Sequence, residues 1–201
     1  MTAVSCQKLF QGDRGEKNRA RAFHQSNRKK SIPDAQFIAL TRNCDDFIAS
    51  RRYATVPASE EEEEFPVAFS ILIFKDIEQF ERLLRAVYRP QNHYCIHVDT
   101  KSDKIVRDAT FAISRCFPNV FIASRSFDVR WGSFSVVEPE LVCMEDLLRR
   151  SVKWKYFINL TGQEFPLKTN WEIVRILEVF NGANNLEGTV ARYFTCLILL
   201  S

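Results

Sequence analysis

Between Phe65 and Lys101 the apolar and polar positions follow two different rhythms. Val67 to Phe74 is a short, nearly continuous apolar run rich in β-branched and aromatic residues, which predicts a strand covered on both faces. Ile77, Phe80, Leu83, Leu84 and Val87 then recur at spacings of three and four, with Glu78, Glu81, Arg82 and Arg85 between them, so this segment reads as an amphipathic helix. Arg89-Pro90-Gln91-Asn92 stops it, because proline disfavours helical backbone at the residue before it. Tyr94 to Val98 is a second buried strand with Asp99 at its carboxyl end. A strand, a helix and a strand of these lengths make one right-handed parallel crossover.

The pattern continues downstream. Ile105, Ala109, Ala112 and Ile113 form a helical stripe ended by Pro118-Asn119, and Val120 to Ala123 is a third strand. Arg125 to Ser135 is a loop containing Trp131-Gly132-Ser133. Val137, Leu141, Met144 and Leu148 predict a helix over Ser135 to Arg150, with Pro139 tolerated in its first turn. Tyr156 to Leu160 is a fourth strand, and Gly162 to Pro166 a turn. Thr169 with Glu172 makes a capping box for a helix that turns Ile173, Val174, Leu177 and Phe180 inward and ends at Gly182. Strands near 67–74, 94–98, 120–123 and 156–160 alternating with helices predict an α/β fold with a mainly parallel sheet.

Residues 1–64 read differently. They are polar, with a basic stretch at Arg28-Lys29-Lys30 and five glutamates from Glu60 to Glu64, as in a solvated stem. Phe37, Leu40, Phe47 and Ile48 give Asp34 to Ser50 helical spacing, so a short helix is expected to dock there, tied down by Cys44. The 201 residues are 46% apolar and 26% charged, enough for one sizeable core. The net charge of +3 gathers at the amino end and not on an aromatic-laced face, which argues against nucleic-acid binding. No apolar run reaches about 20 residues, so no transmembrane span is expected, and the start lacks the pattern of a signal peptide.

Ligands of open α/β sheets bind beyond the carboxyl ends of the strands, here near Leu72 to Phe74 and Asp99 to Lys101. Asp99 there either caps the following turn or accepts hydrogen bonds from a ribose hydroxyl or a base N–H. Trp131, also after a strand and before a helix, either plugs the core or stacks on a base or sugar. Asn159-Leu160-Thr161 matches a glycan acceptor sequence, but a strand end feeding a sheet loop is a poor place for one. The cysteines at 6, 44, 95, 116, 143 and 196 have no zinc-ligand spacing and fit disulfides in an oxidising lumen. Neither an Asp-x-Asp motif nor a Gly-rich phosphate loop occurs.

Several blocks together carry a resemblance. Phe65-Pro66 with its strand, Arg82-Leu83-Leu84-Arg85-Ala86, Pro90-Gln91-Asn92, Tyr94-Cys95-Ile96-His97-Val98-Asp99 and Asn159 through Asn170 closely resemble the β-1,6-N-acetylglucosaminyltransferases of the core 2 and I-branching type, from about Cys6 to Glu187. The resemblance implies a GT-A-like nucleotide-sugar-transferase fold, truncated to its amino-terminal half. It divides the chain into a stem-like segment with a docked helix (1–64), a donor-binding α/β half (65–190) and an unrelated apolar tail (191–201).

The implied reaction is metal-independent, inverting transfer of N-acetylglucosamine from UDP-GlcNAc to galactosyl or GalNAc O-glycans, or I-antigen acceptors, on glycoproteins. By residue match the donor side falls to Leu72, Ile73, Phe74, Asp99, Thr100, Lys101 and Trp131, and an acceptor contact to Glu187. The family often has histidine where Phe74 stands, which leaves that side chain's role open. The implied disulfides are Cys44 with Cys116 and Cys95 with Cys143, leaving Cys6 unpaired. The family's base and diphosphate-binding cations lie beyond the end of this chain, so none of its residues is assigned as catalytic. Alone, the chain is expected to be an inactive fragment that at most binds nucleotide sugar or a full-length partner. Relatives are Golgi type II membrane proteins facing the lumen, so the full-length protein is expected to carry an anchor before this region; otherwise the product is cytosolic.

Overall fold

The computed structural model describes residues 4–26, 31–187 and 198–200. It falls into two compact units, Met1–Ile32 and Pro33–Ser201. In the first, α1 (Cys6–Phe10) and α2 (Arg14–Ser26) form where charge runs predict solvated chain. Local capping explains the difference. Ser5 caps α1, and buried Glu16 accepts the Ser5 N–H at 2.9 Å while its own N–H donates to Asp13 at 2.7 Å. Cys6 is exposed and unpaired among the described residues.

The second unit opens with two short helices instead of the one expected over Asp34 to Ser50: α3 (Asp34–Leu40) and α4 (Cys44–Arg51). The helix breaks because the Thr41 hydroxyl turns back to Phe37 O at 2.7 Å and Asn43 starts a new helix, accepting from the Asp45 and Asp46 N–H groups. Phe37 and Phe47 are both buried. Glu60–Glu64 is a one-turn helix, α5, capped by Ser59, with Glu62 turned into the interior against Arg89 at 3.4 Å. A run expected to be solvated is thus partly buried, because one of its five carboxylates meets an interior guanidinium.

From there the crossovers come in order: β1 (Val67–Ile73), α6 (Ile77–Val87), β2 (His93–Val98), α7 (Lys104–Ser114), β3 (Val120–Ile122), a 3-10 turn (Phe134–Val136), α8 (Glu138–Arg150), β4 (Tyr156–Thr161) and α9 (Asn170–Phe180). The four strands form one all-parallel sheet in the order β3-β2-β1-β4. A second pairing joins β5 (Asn185–Glu187) antiparallel to β6 (Ile198–Leu200). Strand alternation gives the main sheet two apolar faces. Ala68, Cys95 and Phe157 pack with Val142, Cys143 and Leu147 of α8. On the opposite face Phe69 stacks on Tyr94, whose hydroxyl donates to Val87 O of α6 at 2.7 Å.

Two helices depart from the expected stripe: α8 turns nearly the opposite face inward, while α7 departs at only one of four positions, Ala109, Ala112 and Ile113 being buried as expected. In α8 the inward residues are Val142, Cys143, Asp146 and Leu147, while Leu141 and Leu148 are exposed. Two attachments set that face: the Cys143–Cys95 disulfide, and Asp146, which accepts the Ser124 N–H at 2.7 Å. In α7 Ile105 is exposed and Val106 points inward with Ala109 and Ile113. The α9 expectation holds at Val174 and Leu177, which are buried, while Ile173 and Phe180 are half-buried.

Both expected disulfides are present, Cys44–Cys116 and Cys95–Cys143, with Cα atoms 5.0 and 5.5 Å apart.

Candidate functional site

The strand order reverses beside β1. The chain runs from β1 outward through β2 to β3, then crosses to the other side of β1 to lay down β4. The carboxyl edge beside β1 and β4 is therefore where an open sheet of this kind forms its crevice. Asp76, in a left-handed conformation with φ 65°, turns the chain out of β1 and caps α6 by accepting the Gln79 N–H at 3.0 Å. Opposite it, the Gly162 N–H donates to Leu72 O at 2.7 Å, continuing the β1–β4 ladder one residue past β4.

Gly162 is there for space. A Cβ at this position would sit 2.9 Å from Ile73 Cγ2. Gly162→Ala is expected to push the end of β1 aside and cost about 1–3 kcal/mol, as overpacking of a close contact does. Thermal unfolding reads the effect; an unchanged midpoint would mean the Ile73 side chain yields freely.

The resulting cleft has a volume of about 600 Å³ and is walled by three strand ends and one loop. Leu72, Ile73, Phe74 and Lys75 come from the end of β1 and just beyond it, His97, Asp99 and Lys101 from the end of β2 and the turn after it, Thr161, Gly162 and Gln163 from the end of β4 and the turn after it, and Val129, Trp131 and Val136 from the loop and 3-10 turn before α8. Trp131, at the rim of the cleft, is 99% exposed, so it does not plug the core. Gly132, at φ 75°, makes the turn behind it.

Asp99 is only 5% exposed and its carboxylate is heavily engaged. Oδ1 accepts the Lys101 N–H at 2.8 Å, the turn-capping arrangement, while Oδ2 accepts from Lys101 Nζ at 3.0 Å and from the Val129 N–H at 3.2 Å. Lys101 Nζ also reaches Asp128 at 2.7 Å and the Val129 carbonyl, and it lies 5.9 Å from the centre of the Phe74 ring. Its hydrogen bond to Asp128, with that to Asp99, raises its pKa, and the Asp128 carboxyl is correspondingly lowered. His97 is pushed down to about 4 by burial, which the Asp99 charge only partly opposes, so the ring is neutral at physiological pH.

Beneath β4, the Asn159 amide donates to Glu140 at 2.9 Å. Burial raises the Glu140 pKa. Among the described residues no group of three or more His, Cys, Asp or Glu side chains is arranged to hold a metal ion, and no helix is long and apolar enough to cross a membrane.

A parallel sheet with this crevice is shared by many enzymes, and sequence comparison separates them. The family model of the core-2/I-branching enzyme matches residues 67–192. A human β-1,3-galactosyl-O-glycosyl-glycoprotein β-1,6-N-acetylglucosaminyltransferase 3 is 47% identical over 190 residues, 94% of this chain and 43% of the relative. The chain belongs to the core-2/I-branching enzyme family. A second human β-1,3-galactosyl-O-glycosyl-glycoprotein β-1,6-N-acetylglucosaminyltransferase is 47% identical over 188 residues, covering 92% of the chain and 44% of the relative. A bovine herpesvirus 4 protein of the same description is 44% identical over 190 residues, 94% of the chain and 43% of the relative. The chain thus spans less than half the length of the curated relatives it matches.

In this family member the residues carried over by resemblance fall into three groups. Leu72, Ile73, Phe74, Asp99, Lys101 and Trp131 all wall the cleft. Thr100 does not line it; its N–H donates to Phe127 O at 3.0 Å and its side chain is exposed. Glu187 lies on β5, and its side chain is outside the described part of the structure, as are Cys196 and most of the 191–201 tail.

Lys75, His97, Val129, Val136 and Thr161 were not singled out in the sequence, and Gly162 and Gln163 were read only as part of a turn beside the same edge. Two signals could have found some of them. His97 precedes Asp99 by two residues and so points to the same side of the chain, and Thr161 to Gln163 end a strand that obeys the same edge rule.

Proposed function

We propose that this chain carries the donor side of a β-1,6-N-acetylglucosaminyltransferase site. It takes UDP-GlcNAc as donor and O-glycans of glycoproteins, with terminal galactose or GalNAc, or I-antigen chains, as acceptor. One observation carries the reading: the cleft lies where the strand order reverses, and six of the seven donor residues inferred from the family wall it. Trp131 offers an exposed ring to the base or sugar, and the Leu72–Phe74 edge offers apolar surface beside it. The diphosphate charge falls to cationic side chains in place of a bound metal, the family's own lying beyond the end of this chain; on the cleft wall Lys101 is already shared by Asp99 and Asp128, which leaves Lys75 to add positive charge. Two disulfides in so small a unit favour an oxidising compartment, consistent with the Golgi lumen.

Isothermal calorimetry on the purified chain tests the reading. UDP and UDP-GlcNAc are expected to bind, CDP more weakly, and affinity should be unchanged in EDTA. Trp131→Ala should weaken binding by about tenfold, since stacking on an aromatic ring is worth about 1–3 kcal/mol per base. No heat with UDP at millimolar concentration, or loss of binding in EDTA, would refute the corresponding part.

A further inference from the structure

His97 is 1% exposed, lines the cleft, and belongs to no role assigned so far. Its Nε2 accepts the Phe127 N–H at 3.0 Å, and its ring lies nearly parallel to that of Phe127, with centroids 6.0 Å apart. Accepting at Nε2 obliges a neutral imidazole to carry its proton on Nδ1. Yet Nδ1 is buried without a hydrogen-bond partner. A leucine or phenylalanine would fill this volume without stranding a polar atom, so packing alone does not ask for histidine.

The Phe127 segment held by that Nε2 bond supplies the reason. Phe127 is attached on both sides, its N–H to His97 and its carbonyl to the Thr100 N–H at 3.0 Å. Two residues on, Val129 is held by Asp99 and Lys101. Residues 127–129 are thereby laid along the end of β2, although they form no strand. Val129, and Trp131 just beyond it, wall the cleft, and Trp131 has little else to hold it, being almost entirely exposed.

We propose that His97 is a positioning residue for the nucleotide site: as a neutral, Nδ1-protonated imidazole it anchors residues 127–129, and through them sets where Trp131 stands over the ligand. The role rests on the donor-site reading above. His97 itself touches no substrate. Its work is done by an acceptor at the ε position, which glutamine can also present and phenylalanine cannot.

Three measurements on the full chain test this. Imidazole ¹⁵N spectra of the wild-type protein should show His97 as the neutral Nδ1–H tautomer at pH 7; an Nε2–H or charged ring overturns the proposal without any variant. Amide hydrogen exchange at Phe127 and Val129 should be about tenfold faster in His97→Phe, and UDP affinity about tenfold weaker, as expected for loss of one buried hydrogen bond. His97→Gln should restore both to within about threefold of wild type.

Wild-type exchange and affinity in His97→Phe, or a glutamine variant as impaired as the phenylalanine one, overturns the positioning role. Absence of UDP binding by the wild-type chain overturns the donor-site reading and this role with it. Binding that persists at full strength in His97→Phe removes His97 alone.

Discussion

Removing either disulfide is expected to cost about 4 kcal/mol, a large share of the stability of a domain this size. The bridges close loops of 72 and 48 residues, long enough that chain entropy in the unfolded state dominates the effect. They should differ in how they respond to reductant. Cys95 and Cys143 are both 0% exposed within the face between the sheet and α8, whereas Cys44 is partly exposed and Cys116 nearly buried at the edge of α7. Thiolate attack needs access to sulfur. Dithiothreitol at neutral pH should therefore open Cys44–Cys116 while the fold persists, and Cys95–Cys143 only with global unfolding. Alkylation and mass spectrometry over time distinguish the two. Equal rates would show that the sheet face opens as readily as the helical edge.

The second large effect centres on Glu81. Its side chain is 0% exposed and holds two guanidiniums, Arg51 of α4 and Arg85 one turn along α6, with Nε atoms at 3.0 and 3.2 Å. The Tyr53 hydroxyl donates to the Glu81 carbonyl at 3.4 Å. The hydrogen bond from Arg51 to Glu81 raises the Arg51 pKa despite partial burial. This cluster attaches α4 to α6. Glu81→Met should lower stability by about 3 kcal/mol, since two guanidiniums lose their shared counter-charge; their partial exposure to water keeps the cost at the lower end of the range for breaking buried pairs. Replacing Arg51 by methionine as well should recover part of the loss. A urea double-mutant cycle measures it, and strictly additive effects would mean the pair is not coupled.

Much of the site was legible in one dimension because the edge rule needs only strand ends. Val67 to Phe74 and Tyr94 to Val98 announce themselves as buried strands, and the residues just past their ends must lie at the carboxyl edge. Asp99, Lys101 and the Leu72–Phe74 segment were accessible by that route. His97 was hidden by its surroundings: within an apolar strand a histidine reads as core, and only the Phe127 N–H beside its Nε2 gives it a task. Gly162 was visible as a turn residue but not as a contact, since its need for space comes from Ile73, far earlier in the chain.

From Phe65 to Phe180 the sequence by itself determined the element types, the mainly parallel class and, to within a residue, the strand ends. These depend on local periodicity, on proline and glycine punctuation and on capping pairs such as Thr169 with Glu172, all of which act within a few residues. The tertiary structure alone decided which face of α8 turns inward, although α6 buries the very stripe its periodicity predicts, and that the Asp34 to Ser50 segment is two helices. In α8, apolar residues occur on more than one side, so periodicity admits more than one stripe; Cys143 and Asp146 select the observed face because Cys95 and the Ser124 N–H stand opposite. The same holds for the cleft. Its walls come from segments as distant in the chain as Leu72 and Gln163, and they meet only because β4 pairs with β1 and not with β3, a choice made by long-range packing and invisible to any local window.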